Sequence, residues 1–200
     1  MDRRRFSEST ARNRGPILAV LERVLAKDAK VLEVASGTGE HAMFVARAMS
    51  GVVWQPSDPD ADSRASIAAW IAHEELTGVL PPLAIDVRLD DWGVGKTFDA
   101  IVAINMIHIA PREATPGLFR GARRLLRSGG VLLLYGPFKR DGTHTAPSNE
   151  AFDQWLKQRD PAFGVRDLGD VARVGEENGF ALRETVEMPA NNLTVVFAKS

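Results

Sequence analysis

The strongest chemical signal lies in one short stretch, Glu33-Val34-Ala35-Ser36-Gly37-Thr38-Gly39-Glu40-His41-Ala42. Glycines let a backbone turn tightly and approach a ligand with no Cβ in the way. A helix that starts directly after such a turn aims free N–H groups at the same spot. The spacing Gly37-x-Gly39-x-x-Ala42 fits a dinucleotide fingerprint, and Asp58 lies about twenty residues on, where a ribose-binding acid belongs. Glu33 points elsewhere. An anion beside the turn sits badly against a pyrophosphate and suits a ligand that carries a cationic amine and a sulfonium. A nicotinamide dinucleotide, a sulfonium ligand and a turn that binds nothing are the readings of this stretch taken alone.

Polar residues also fall at successive strand ends. Asp58 is placed to accept hydrogen bonds from both ribose hydroxyls, and Asp86 from an adenine amino group, with Val87 packing on the ring. Asn105 borders the same crevice. Each of these is equally a cap or turn residue when considered singly. With Ala35, Ser36, Gly37 and Gly39 they make up the candidate cofactor set. His41, in the helix behind the turn, lines either the ligand pocket or the surface.

Of four histidines, His108 is best placed for chemistry, just beyond an expected strand. The competing reading is a histidine held by a backbone group. Tyr135, the single tyrosine, is either a donor that orients a substrate or a buried strand residue with a satisfied hydroxyl. His108 and Tyr135 are the candidate catalytic residues. Met106, His144, Asn149, Asn191 and Asn192 join them as candidate substrate contacts, although turn chemistry accounts for several of these. The histidines are scattered among different element types with no His-x-x-x-His pair, so no metal site is expected.

These residues need elements to place them. Short apolar runs at 31–35, 52–55, 83–87, 98–104 and 131–135 read as buried strands, alternating with helical patterns at 40–49, 61–77 and 112–126. Ile17, Val20, Leu21, Val24 and Leu25 mark an earlier amphipathic helix after Pro16. Near-continuous, β-branched strands between helices are the signature of an α/β sheet covered on both faces. In such sheets ligands bind beyond the strands' C-terminal ends. Residues 138–167 interrupt the alternation with a charged, Gly- and Pro-containing insertion that holds one expected helix near 149–159. A helix near 168–178 and a terminal hairpin, 180–187 with 193–198, close the chain.

Composition narrows the chemistry further. The chain has 200 residues, enough for one domain, with 44% hydrophobic and 26% charged residues. The absence of cysteine removes thiol nucleophiles, Cys-ligated zinc and iron–sulfur clusters. A net charge of −1 argues against a nucleic-acid or anionic-membrane partner. No apolar run reaches a bilayer span and no export signal is visible, so a cytoplasmic location is the expectation. Arg3, Arg4, Arg5, Arg12 and Arg14 make the first fourteen residues basic, as a solvated tail or as a lid. As a lid, Arg12 and Asn13 would touch the carboxylate of a bound ligand or an anionic substrate.

The pattern Glu-x-x-x-Gly-x-Gly, then a strand-end acid, then a later Asp, resembles class I S-adenosylmethionine (SAM) dependent methyltransferases. The chain departs from that family's first motif at Ala35, where a glycine is expected. A closer resemblance covers nearly the whole chain. Arg12-Asn13-Arg14-Gly15-Pro16, Trp54-Gln55-Pro56-Ser57-Asp58, Asn105-Met106-Ile107-His108-Ile109, Tyr135-Gly136-Pro137-Phe138 and Met188-Pro189-Ala190-Asn191-Asn192 resemble the family that includes the methyltransferase-like 26 proteins. The resemblance implies a Rossmann-like, seven-stranded sheet of order 3-2-1-4-5-7-6 with the last strand antiparallel, in one domain spanning 1–200 with a cap-like insertion. It implies SAM as cofactor and methyl transfer, to the oxygen of a small molecule in our reading. The alternatives are an NAD(P)-dependent oxidoreductase and a noncatalytic SAM- or nucleotide-binding module.

Overall fold

The computed structural model describes residues 2–200. The chain divides into two compact units: one runs through Asp86 and adds Phe98–Val102, and the other comprises Val87–Thr97 and Ala103–Ser200.

The first unit begins with helix α1, Glu8–Val24, nine residues earlier than its apolar stripe indicates. Ser7 caps it by accepting the Thr10 N–H at 3.4 Å, and Pro16 is tolerated inside. Part of the basic leading segment is thus helical. Its first residues are pinned to helix α3 (Ala61–Glu74), where the Arg5 N–H donates to Ser66 Oγ at 2.9 Å and Phe6 packs edge-on against Trp70. Strand β1 (Lys30–Val34) pairs in parallel with β2 (Val53–Pro56), in register from Lys30 with Val53 to Glu33 with Pro56. Helix α2, Glu40–Ala48, lies between them in sequence. Val31, Leu32, Ala42, Val45, Trp54 and Ile67 are buried at the centre of this unit.

Strand β3, Phe98–Ile104, continues the alternation. The second unit then supplies α4 (Ala114–Leu125), β4 (Leu126–Gly136), β5 (Phe138–Arg140), β6 (Thr143–His144), α5 (Pro147–Arg159) and β7 (Arg166–Asp167). After them come α6 (Leu168–Glu177), β8 (Phe180–Met188) and β9 (Asn192–Lys199). Residues 130–136 of β4 are buried without a break, as a strand covered on both faces must be. The expected hairpin is present: β8 and β9 pair antiparallel, and β9 also pairs antiparallel with β4. Phe119 meets Phe180 and Phe197 edge-on at 5.5 and 5.1 Å.

The main sheet has six strands, order β2-β1-β3-β4-β9-β8, rather than the expected seven. The lost member is the strand expected at 83–87. Beside β2 that part of the chain makes only isolated bridges, Trp54 with Val79 and Ser57 with Leu83. Pro81 and Pro82 fall between the bridges and carry no N–H to continue a ladder. The rest of the order follows the expectation. The insertion adds a separate three-stranded sheet, β6-β5-β7, which the sequence pattern did not reveal. Among the described residues no helix is long and apolar enough to cross a membrane.

Candidate active site

In the first unit the glycine turn adopts left-handed backbone at three positions, Ala35 (φ 53°), Gly37 (φ 58°) and Gly39 (φ 91°). Ala35 therefore takes the conformation for which a glycine is expected, at a cost that a glycine would not carry. Gly39 is needed for a second reason: a Cβ there would lie 3.0 Å from Ile67 Cγ1. At Gly37, by contrast, an added Cβ would meet nothing within 4 Å, so open space borders the backbone.

The turn is stitched to the end of β2. Ser36 N–H donates to Ser57 O at 2.8 Å, Ser57 N–H to Ser36 Oγ at 3.1 Å, and Ser57 Oγ to Glu33 O at 2.8 Å. Asp58 accepts the Gly37 N–H on Oδ2 and the Asp60 N–H on Oδ1, each at 2.9 Å. Burial raises its pKa, and these two N–H bonds oppose the rise.

Glu33 is 1% exposed. Its Oε2 accepts the Trp54 indole N–H at 3.0 Å, while Oε1 is buried with no hydrogen-bond partner. Burial pushes the carboxyl up to about 7, with the Trp54 bond and then the Ser36 side chain opposing and the Asp58 charge reinforcing. A buried carboxyl with an unused oxygen beside an open glycine turn is chemically equipped to receive a cationic amine.

His41 and Asn13 are both buried and joined, Nε2 to Oδ1 at 2.9 Å. Burial, helped by Arg14, lowers the His41 pKa to about 4. Arg12 is not part of this cluster; it is exposed and pairs with Glu8 at 3.6 Å. A residue that sequence reasoning missed is Glu40, whose Oε2 accepts both the Ser7 N–H (2.6 Å) and the Thr38 hydroxyl (3.0 Å). Its position as the first residue of the helix after the glycines was the available signal. Asp86 is half-buried in this unit. Val87 is buried in the other, its carbonyl against Gly117.

The second unit holds the remaining candidates. Asn105 is left-handed (φ 58°), donates its N–H to Tyr135 O at 2.7 Å, and starts a 3-10 turn, Met106–His108. Tyr135 is buried in β4. His108 is fully buried, edge-on to Phe138 at 5.0 Å. Its Nδ1 accepts the Arg166 backbone N–H at 3.2 Å. Because a backbone N–H can only donate, the Nδ1 lone pair is occupied and a neutral ring carries its proton on Nε2. Nε2 has no partner. Burial and then Arg166 lower the His108 pKa to about 3, so the imidazole is neutral at ordinary pH. The ring thus offers a donor and no free lone pair. Gly136 makes room for it: a Cβ there would stand 2.6 Å from His108 Nε2.

Asn149 donates to Thr145 Oγ1 (3.0 Å) and to Asn191 O (2.9 Å), and Asn191 donates to Ser148 Oγ (3.3 Å). Asn192 donates to Pro189 O at 3.1 Å. Asn149 and Asn191 thus fasten α5 to the β8–β9 turn, while Asn192 closes the turn on itself. His144 lies 3.2 Å from Asp153, a buried carboxylate that also meets Lys139 (3.2 Å), Lys157 (2.8 Å) and the Val165 N–H (2.7 Å). Asp153 as the partner of His144, and Arg166 as the partner of His108, were not legible because each contact joins two different elements of the fold.

Residues 4–199 match the profile of a family described as Protein of unknown function (DUF938). The fold is similar to that of an O-methyltransferase family protein from Burkholderia thailandensis, with a TM-score of 0.81 and 19% identity over 96% of this chain and 58% of that one. It is also similar to the S-adenosylmethionine-dependent methyltransferase SibL in its apo form (0.78, 21%, 96% and 55%). A third likeness is to CalO1, a methyltransferase of calicheamicin biosynthesis in its SAH-bound form (0.75, 16%, 94% and 54%). The chain spans little more than half the length of these proteins, and at such identities the likeness is one of fold.

Proposed function

The chain belongs to the DUF938 family, and we propose that it is a SAM-dependent methyltransferase acting on the oxygen of a small molecule. The observation that carries this reading is the buried Glu33 carboxyl, its Oε1 unpartnered, beside a glycine turn with open space at Gly37. Those residues fit the cofactor: Glu33 would take its amine, the turn through Ala35, Ser36, Gly37 and Gly39 its backbone-facing side, and Asp58 its ribose hydroxyls. A nicotinamide dinucleotide would place phosphate charge near Glu33 instead, which disfavours an oxidoreductase. The likeness of fold to O-methyltransferases supports the same class, and the resemblance of several motifs to those of methyltransferase-like 26 proteins agrees with it. A small-molecule acceptor and a cytoplasmic setting complete the proposal.

When bound, SAM supplies a methyl group on a sulfonium, which is open to in-line displacement. The protein's own contribution is alignment and exclusion of water, worth effective molarities of order 10⁵–10⁸ M. Of the two candidate catalytic residues, His108 would touch the acceptor as a hydrogen-bond donor rather than as a base. With its Nδ1 lone pair engaged it has no site for an incoming proton, while Nε2–H can donate toward an acceptor. Such a site suits an acceptor that is already ionised and needs no general base. Tyr135 fixes the Asn105 backbone from the end of β4. Asp86, Val87, Asn105 and His41 complete the proposed cofactor contacts, and Met106, His144, Asn149, Asn191 and Asn192 the proposed substrate contacts. The exposed Arg12 would join either set only if its pairing with Glu8 were exchanged for a ligand.

Calorimetric titration with SAM, its demethylated product and NAD(H) tests the reading. Saturable binding of SAM and its product, weakened in Glu33→Gln, is the expected result; binding of NAD(H) with none of SAM overturns it. SAM binding without transfer to any of a broad acceptor panel would instead favour a noncatalytic module.

A further inference from the structure

A cavity of about 370 Å³ in the second unit is lined by residues from the start of α4, the small sheet and α6. That is a ligand-sized volume. Its charged lining consists of Arg112, Lys139, Arg166 and Arg173 against Asp167 and Asp170. The local pairings sort these six. Asp170 is held by Arg173 at 2.8 Å, and Lys139 by Asp153 at 3.2 Å. Both Asp167 oxygens accept backbone N–H groups, from Gly142 at 2.7 Å and Gly169 at 2.8 Å.

Two cations remain. Arg112 is exposed, and its guanidinium makes no ion pair or hydrogen bond among the described residues. Arg166 spends Nε on Ile107 O (2.9 Å) and Nη2 on Ala110 O (2.6 Å) and Ala162 O (3.0 Å). Of a guanidinium's five donors, the Nη1 pair is left. Three carbonyls therefore fix the plane of Arg166 and leave one edge free. Burial lowers its pKa, and the nearby Arg112 charge lowers it further, against Asp153 and Glu113. The two guanidiniums line the same cavity, where their like charges repel. Beside them Thr115, 6% exposed, has a hydroxyl with no partner.

We propose that this cavity binds the oxyanion group, phosphate or carboxylate, of a small anionic molecule, held between Arg112 and the free edge of Arg166. An oxyanion relieves the repulsion between the two cations and accepts the unused Nη1 donors with the geometry guanidinium favours. The Thr115 hydroxyl is a further donor within the same lining. Arg166 also donates its backbone N–H to His108, so an anion anchored here is gripped by the residue that orients the imidazole. The site does not depend on SAM.

Titration of inorganic phosphate and of acetate into the full chain, followed by amide chemical shifts at constant ionic strength, tests the proposal, with glycerol as the neutral control. Saturable binding of either anion with shifts at 112–116 and 164–167 is expected, and the tighter anion identifies the group. Arg112→Ala should weaken binding about tenfold, as loss of a charged hydrogen bond does, and Arg112→Glu should abolish it. Arg112 is exposed, so both variants are expected to keep the native circular dichroism and melting behaviour. No saturable binding of either anion, or equal affinity in Arg112→Glu, overturns the proposal. Failure of SAM binding would refute the proposed function and leave this site untouched.

Discussion

Glu33 makes a measurable claim about stability. Its carboxyl is raised from 4.5 to about 7 in the folded chain, with burial as the dominant cause. The folded state therefore binds this proton more tightly than the unfolded state. Its contribution is most favourable below about 4.5, and stability falls as pH rises toward 7. At about 1.4 kcal/mol per tenfold change in proton affinity, ionising Glu33 in the folded chain costs about 3 kcal/mol. Most of that, about 2 to 3 kcal/mol, falls between about pH 5 and about pH 8. Glu33→Gln removes the titration and keeps an acceptor for Trp54. Urea unfolding of both proteins without ligand should show the variant gaining on the parent by that amount across the interval. A difference that stays flat with pH refutes the reasoning. A second arm tests the proposed partner: a cationic amine should drive off the proton, so SAM binding should release nearly one proton near pH 6 and few near pH 8. Calorimetry in buffers of different ionisation enthalpy reads this directly, and heats independent of buffer would contradict it.

Three further outcomes are expected. Ala35→Gly relieves a left-handed alanine, about 1–2 kcal/mol, offset by the greater freedom of unfolded glycine, about 0.5–1 kcal/mol. Denaturant midpoints should show a small net gain, and a loss would contradict the strain. Gly136→Ala drives a methyl into the His108 ring and should cost about 1–3 kcal/mol while moving the His108 ring resonances; unmoved resonances would refute the contact. At Asp153 burial raises the pKa, but the bonds from Lys157, the Val165 N–H and Lys139 outweigh it and bring it to about 2. Its contribution is present above about 3.8 and lost as pH falls through about 2. Asp153→Asn should lower stability at neutral pH by about 2 kcal/mol and weaken the acid dependence, as followed by urea unfolding at several pH values.

Much of the frame was readable from local pattern. The glycine turn, the buried strands and the terminal hairpin each follow from turn chemistry and apolar periodicity over a few residues. The outer strand failed because periodicity at 83–87 says nothing about the missing N–H donors at Pro81 and Pro82. The start of α1 failed because the apolar stripe begins only at Ile17, while the capping that begins the helix is at Ser7. In the site, residue types pointed to Glu33 and Asp58. They could not show that the Glu33 carboxyl is buried with one oxygen unused, which depends on Trp54 more than twenty residues away. His108 was picked out by position, yet its tautomer is set by a backbone N–H of residue 166. Arg112 and Arg166 are far apart in sequence, and only the folded insertion shows which charges around them are already paired.

The two prolines that cut short the outer strand also shape how the sheet meets other molecules. Beside β2, the backbone uses its N–H groups at Leu80 and Leu83 on Trp54 O and Pro56 O, and Pro81 and Pro82 have none to offer. At the opposite margin β8 carries Arg183, Glu184 and Glu187, with an irregular step between Leu182 and Glu184. Proline at one margin, and charge with a broken register at the other, are the means by which sheets discourage a stray strand from adding on. The feature that removed a strand from the expected fold thus guards the chain against edge-to-edge aggregation, an advantage at the concentrations of a crowded cell.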